Sequence, residues 1–143
     1  TVHPFTVHLP IGVVLAAFGF TVVGWYRRHR AFEQSGYYLV VVGWFSTIPS
    51  LVTGTIDAVN RVNDPRSPAD TLWWVNVHAF SAIALFVVLW LAWQRRRRMH
   101  DDVWDAPQYG IYLWHLVGAL GVVLLSGWSG GHMVYALNLG RLP

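Results

Sequence analysis

Read for its pattern of apolar and polar positions, the chain resolves into four long apolar stretches separated by short polar ones. The stretches run over about 5–26, 37–57, 73–94 and 108–128. Each is long enough for the roughly 20 predominantly apolar residues that cross a bilayer as a helix. None alternates with period 2, which argues against a transmembrane β-barrel. The pattern predicts an all-α integral membrane four-helix bundle, antiparallel and up-down-up-down, formed by residues 1–143 as one domain. The first stretch is too long for a signal-peptide core and lacks a basic segment before it, so it is expected to stay in the mature protein.

Composition supports this picture. Of the 143 residues, 55% are hydrophobic and only 12% charged, about half the charge of an ordinary soluble domain. With no cysteine, disulfides, thiolate metal sites, Cys-ligated iron–sulfur clusters and covalent c-type haem attachment are excluded. The net charge of +3 does not indicate nucleic acid, because the arginines sit in runs at the ends of apolar stretches and not over a soluble face. Arg27, Arg28 and Arg30 form one run and Arg95 to Arg98 the other. By the positive-inside rule these loops are cytoplasmic. Both termini and the loop Ala58–Leu72 then face the non-cytoplasmic side of a bacterial cytoplasmic membrane. Trp25, Tyr26, Tyr37, Tyr38, Trp93 and Tyr109 at one level, and Trp73, Trp74 and Trp128 at the other, suit the two membrane interfaces.

Small residues suggest the packing. Ser46, Ser50 and Gly54 recur every four residues, and Gly12 and Ala16 share that spacing, as in helices whose backbones approach closely. Pro49 removes a backbone donor from the second helix and is expected to bend it.

Histidine is where chemistry enters. His29 and His100 fall in the basic loops and read as solvated. His3, His8, His78 and His132 all fall on the external half. At 1.5 Å per residue, His8 and His78 lie at similar depth on different helices, with Asp57 in the same layer. Ionisable groups inside a membrane are costly, face the bundle interior and mark functional sites. One reading is bis-axial ligation of a haem b by His8 and His78, with Asp57 tuning an imidazole. The other is cofactor-free: the same groups hydrogen-bond to each other, to Asp57, to Asn76 or to backbone carbonyls and tie the helix ends together. A third is an external metal or ion site using His3, His8, Asp57 and His78. His115 lies deeper, towards the arginine loops, with no second histidine at its depth. It reads as hydrogen-bonded to a small polar neighbour such as Thr21 or Ser46, or as a single ligand. Asp57, Asp64 and Asp70 lack the spacing of a calcium loop. No Walker, dinucleotide, nucleophile-elbow or HExxH motif is present.

The opening His3-Pro4-Phe5-Thr6-Val7-His8-Leu9-Pro10-Ile11-Gly12 resembles the DUF2231 family of predicted bacterial membrane proteins, which begins HPxxVHFPIG. Thr53-Gly54-Thr55-Ile56-Asp57, His78 and Gly127-Trp128-Ser129-Gly130-Gly131-His132-Met133-Val134-Tyr135 follow in order. Leu9 replaces the usual phenylalanine, and His132 stands where the family's GGELVY carries its acid. With Gly130 and Gly131 before it, His132 reads as an exposed turn residue, the alternative being an added ligand. The resemblance implies a four-helix membrane domain, and its relatives joined to Rieske or cytochrome c domains imply redox company. Together these readings predict a small non-catalytic membrane subunit that relays electrons through haem b, in contact with lipid and with membrane or periplasmic redox subunits. The alternative is a cofactor-free accessory subunit of a respiratory or photosynthetic complex.

Overall fold

The computed structural model describes residues 3–99, 103, 104 and 106–139, apart from the side chain of Pro4. His100 and Arg141 lie outside the described residues. Four helices carry the fold: α1 (His3–Arg27), α2 (Arg30–Val62), α3 (Thr71–Arg97) and α4 (Tyr109–Tyr135). Each is long and apolar enough to cross a membrane. They stand in a ring, with α1 against α2, α2 against α3, α3 against α4 and α4 closing on α1. The α1–α2 seam is the most extensive and the α1–α4 seam the thinnest, while α1 and α3 face each other across a diagonal. Large apolar side chains such as Phe5, Phe80, Trp114 and Leu124 point outward, the surface expected where lipid replaces water.

The helices run past the bounds read from the apolar pattern. Polar residues end a hydropathy stretch, but they do not end a helix whose backbone bonds still need partners. Thus α2 begins at Arg30 and spans 33 residues, about 50 Å at 1.5 Å per residue. The Gly130-Gly131 pair makes no turn: α4 continues to Tyr135, and His132 lies inside it. Each glycine costs a helix about 1 kcal/mol relative to alanine, less than leaving backbone groups unpaired at membrane depth.

Only Arg28 and His29 separate α1 from α2. Arg28 takes a left-handed φ of 50°. The His29 N–H then donates to the Gly24 carbonyl at 2.9 Å and the Arg28 N–H to Trp25 at 3.4 Å. These are the paired bonds of a Schellman end, with arginine where glycine is usual. The reversal forces α1 and α2 antiparallel.

Their seam uses the stripe on α2, extended at both ends. Gly36, Gly43, Ser46, Ser50 and Gly54 all meet α1 or lie on the buried face. A Cβ on Gly36 would fall 2.2 Å from Thr21 Oγ1, and one on Gly24 would fall 2.5 Å from the Glu33 nitrogen. The partner face of α1 is Pro10, Val14, Ala17, Thr21 and Gly24. Gly12 is exposed with open space around it, so the Gly12/Ala16 spacing does not mark the α1 seam. Pro10 explains part of the register. It has no N–H to give the Thr6 carbonyl one turn back, and Ser50 Oγ donates to that carbonyl instead, at 2.9 Å.

Candidate functional site

The termini end of the bundle gathers histidines from opposite helices. His3 stands in the first turn of α1 and His78 in the second turn of α3. Their ring centroids are 6.0 Å apart with the planes at 84°. All four helices shape this layer. On the α2 side, His3 Nδ1 meets Thr53 Oγ1 at 3.2 Å. Thr53 is itself fixed by the Thr6 hydroxyl at 2.9 Å and the Pro49 carbonyl at 2.8 Å. On the α4 side, His78 Nδ1 lies 3.0 Å from the Ser126 carbonyl and 3.2 Å from Ser129 Oγ. A carbonyl only accepts, so Nδ1 of His78 carries the proton and a neutral ring keeps its lone pair on Nε2.

Glycine makes room for both rings. A Cβ on Gly54 would sit 2.8 Å from His3 Cε1, and one on Gly130 would sit 3.2 Å from His78 Cε1. The Thr53-Gly54 and Ser129-Gly130 pairs therefore work alike: a hydroxyl orients the imidazole and a missing side chain admits it. Burial holds the His3 pKa below the usual imidazole value, against the opposing pull of the Asp57 carboxylate. Asp57 is also ion-paired with Arg61 one turn on, at 3.9 Å.

The remaining histidines take other surroundings. His8 is exposed, five residues beyond His3 and so about 140° around α1 from it and about 7.5 Å further along the axis. The ring that the structure brings to His78 is that of His3. His132 lies against Trp74, with centroids 4.0 Å apart, and Trp74 meets Trp128 edge-on at 5.3 Å. His115 Nδ1 approaches the Ile111 carbonyl of its own helix at 2.6 Å, in place of the Thr21 or Ser46 hydroxyl. In the connection after α2, Arg66 binds both carboxylate oxygens of Asp64 at 3.1 Å.

A group that takes two imidazole ligands would be held by His3 and His78, the two rings this layer brings together. Each ring also has the outer-shell bond on its second nitrogen that fixes a ligating imidazole. Among the described residues no group of three or more His, Cys, Asp or Glu side chains is placed to hold a metal ion.

The arginine end holds a pair that sequence reasoning passed over. Glu33 of α2 is 0% exposed and Arg96 of α3 only 6%. Arg96 Nη2 donates to Glu33 Oε2 at 2.8 Å and Nε donates to Oε1 at 2.5 Å. Its guanidinium lies 5.2 Å from the centre of the Tyr37 ring. Arg96 looked like one of four identical membrane-stop arginines. The available signal was Glu33, which shares the i, i+3, i+7, i+10 face of Gly36, Val40 and Gly43.

The chain matches no curated protein and no solved structure. The family model for DUF2231, described as a predicted membrane protein, covers residues 1–143. The match spans both the histidine layer and the buried ion pair, and the chain belongs to the DUF2231 family of predicted membrane proteins.

Proposed function

We propose that this chain is a membrane subunit that holds a haem b between His3 and His78 and relays electrons to a redox partner at the termini face. The observation that carries this reading is the 6.0 Å approach of two imidazoles from diagonal helices, each with Nδ1 occupied by a hydrogen bond. His3 and His78 would bind through Nε2, Thr53 orienting the first ring and Ser126 and Ser129 the second. A haem bound there supplies a one-electron couple in a bundle core, a common place for cofactors. Asp57, whose charge acts on His3, adds a negative potential that favours the oxidised form.

The arginine bias supports the non-cytoplasmic side of a bacterial cytoplasmic membrane for this face. An impermeant thiol reagent added outside should label a cysteine at Ser67 and spare one at Arg98. Haem is tested by absorption spectroscopy of protein purified from a haem-sufficient host. A Soret band with sharp reduced α and β bands is expected, and a colourless preparation overturns the reading.

A second reading rests on the tightness of the cradle. Gly54 and Gly130 leave the imidazoles room and little more, which favours a cofactor-free accessory subunit whose histidines clamp α1 to α2 and α3 to α4. In that case His3→Ala and His78→Ala lower thermal stability with no chromophore to lose.

A further inference from the structure

Beyond the histidine layer, the arginine end contains polar atoms that neither the ion pair nor the packing uses. Five buried side-chain polar atoms lack a hydrogen-bond partner among the described residues, and three of them fall together: Thr21 Oγ1, Tyr109 OH and Tyr112 OH. Thr21 and Tyr112 are 0% exposed and Tyr109 is 3% exposed. They come from facing helices, Thr21 from α1 and the two tyrosines from α4, whose rings are 5.7 Å apart. The Thr21 and Tyr112 hydroxyls approach one another without reaching hydrogen-bond geometry. The charges of Glu33 and Arg96 act on both phenols, and Thr21 packs against Gly36, three residues from Glu33, so the orphaned hydroxyls stand near the ion pair.

Such an arrangement is not stable dry. Buried hydroxyls in native proteins are paired with protein or with ordered water, and a water persists where two to four polar groups converge. Three of the five Arg96 N–H groups are engaged: two donate to the Glu33 oxygens and one, at 3.4 Å, to the Met99 carbonyl. A small anion would meet the Glu33 carboxylate, which already neutralises the guanidinium. A neutral molecule that both donates and accepts suits the hydroxyls and the spare lone pairs of Glu33. Met99 and Val103, which lie between α3 and α4, are buried as well.

We propose that Thr21, Tyr109 and Tyr112 bind internal water against the Glu33–Arg96 pair, so that the carboxylate is hydrated within the bundle. Water there links the α1 and α4 sides of the thinnest seam to the ion pair between α2 and α3. The test uses the full chain in nanodiscs and compares wild type with Tyr112→Phe and Thr21→Val, which keep shape and remove one hydroxyl each. Each substitution is expected to lower Tm, and the double variant to lose less than the two together, because both groups hold the same water. An unchanged or raised Tm overturns the proposal, since deleting a dry, orphaned hydroxyl relieves a cost. A map of the wild type at a resolution that shows ordered water is the second measurement. Density bridging Tyr112, Thr21 and Glu33 is expected. A lowered Tm with no such density would mean that the two hydroxyls pair directly, and would overturn the proposal equally.

Discussion

The two ends of this bundle solve the same problem with opposite chemistry. Both must hold polar side chains among helices built for lipid. At the arginine end, Glu33 and Arg96 are fully buried and spend their charges on each other. At the termini end, His3 and His78 are half-buried, and Nδ1 of each meets polar partners, Thr53 for one and Ser126 and Ser129 for the other. A buried ion pair whose charges neutralise one another fixes helices. The two imidazoles, 6.0 Å apart, are held through Nδ1 by hydroxyl and carbonyl partners and carry no such pairing of charges. The difference is why anchoring is read at one end and the proposed cofactor site at the other.

The largest effect should come from breaking the anchor. Arg96→Met leaves the Glu33 carboxylate buried and unpaired, which costs about 3–5 kcal/mol. Arg97→Gln, in the same run but exposed, should change stability by less than about 0.5 kcal/mol. Thermal unfolding of the two variants in one detergent separates them, and equal losses would remove the distinction between the ends. Ser50→Leu comes next. It drives a large side chain into the α1–α2 seam and takes the donor from the Thr6 carbonyl, so loss of folded protein on size exclusion is expected. A normal profile would mean that this face tolerates bulk and that the seam is misplaced.

The sequence made the anchor hard to see and the bundle easy. Four apolar stretches at membrane length leave few architectures, because backbone groups in lipid must be satisfied within the helices. The order of the helices and the polar layer at the termini were legible for that reason. Helix ends were not, since Arg30–Gly36 and Ser129–Tyr135 are polar or glycine-rich yet helical. Depth alone placed His8 beside His78. Angular position around α1 separates His8 from His3, and only the α1–α2 contact through Gly54 fixes which one points inward. The role of Thr53 and Ser129 as orienting hydroxyls likewise depends on contacts across helices.

Smaller effects sharpen the chemistry of the termini end. Gly54→Ala puts a methyl group against His3 and should displace the ring, whereas Gly12→Ala meets open space and should be silent or slightly stabilising. Thermal unfolding and the visible spectrum report both. A pH dependence should also appear. Because burial lowers the His3 pKa below 6.5, the unfolded chain binds the proton more readily. The stability contributed by neutral His3 is then full above pH 6.5 and is lost as pH falls through that value towards the lowered one. His3→Asn should flatten that part of the profile, and a profile equally steep in both proteins would assign the titration elsewhere.

The most direct test of the central claim compares two histidines of one helix. Low-temperature electron paramagnetic resonance and absorption spectra would be recorded on haem-loaded wild type, His3→Ala, His8→Ala and His78→Ala. A low-spin signal is expected in wild type that persists in His8→Ala and turns high-spin or disappears in both His3→Ala and His78→Ala. A low-spin signal that survives His3→Ala but is lost in His8→Ala would contradict the claim, and so would the absence of haem from the wild type.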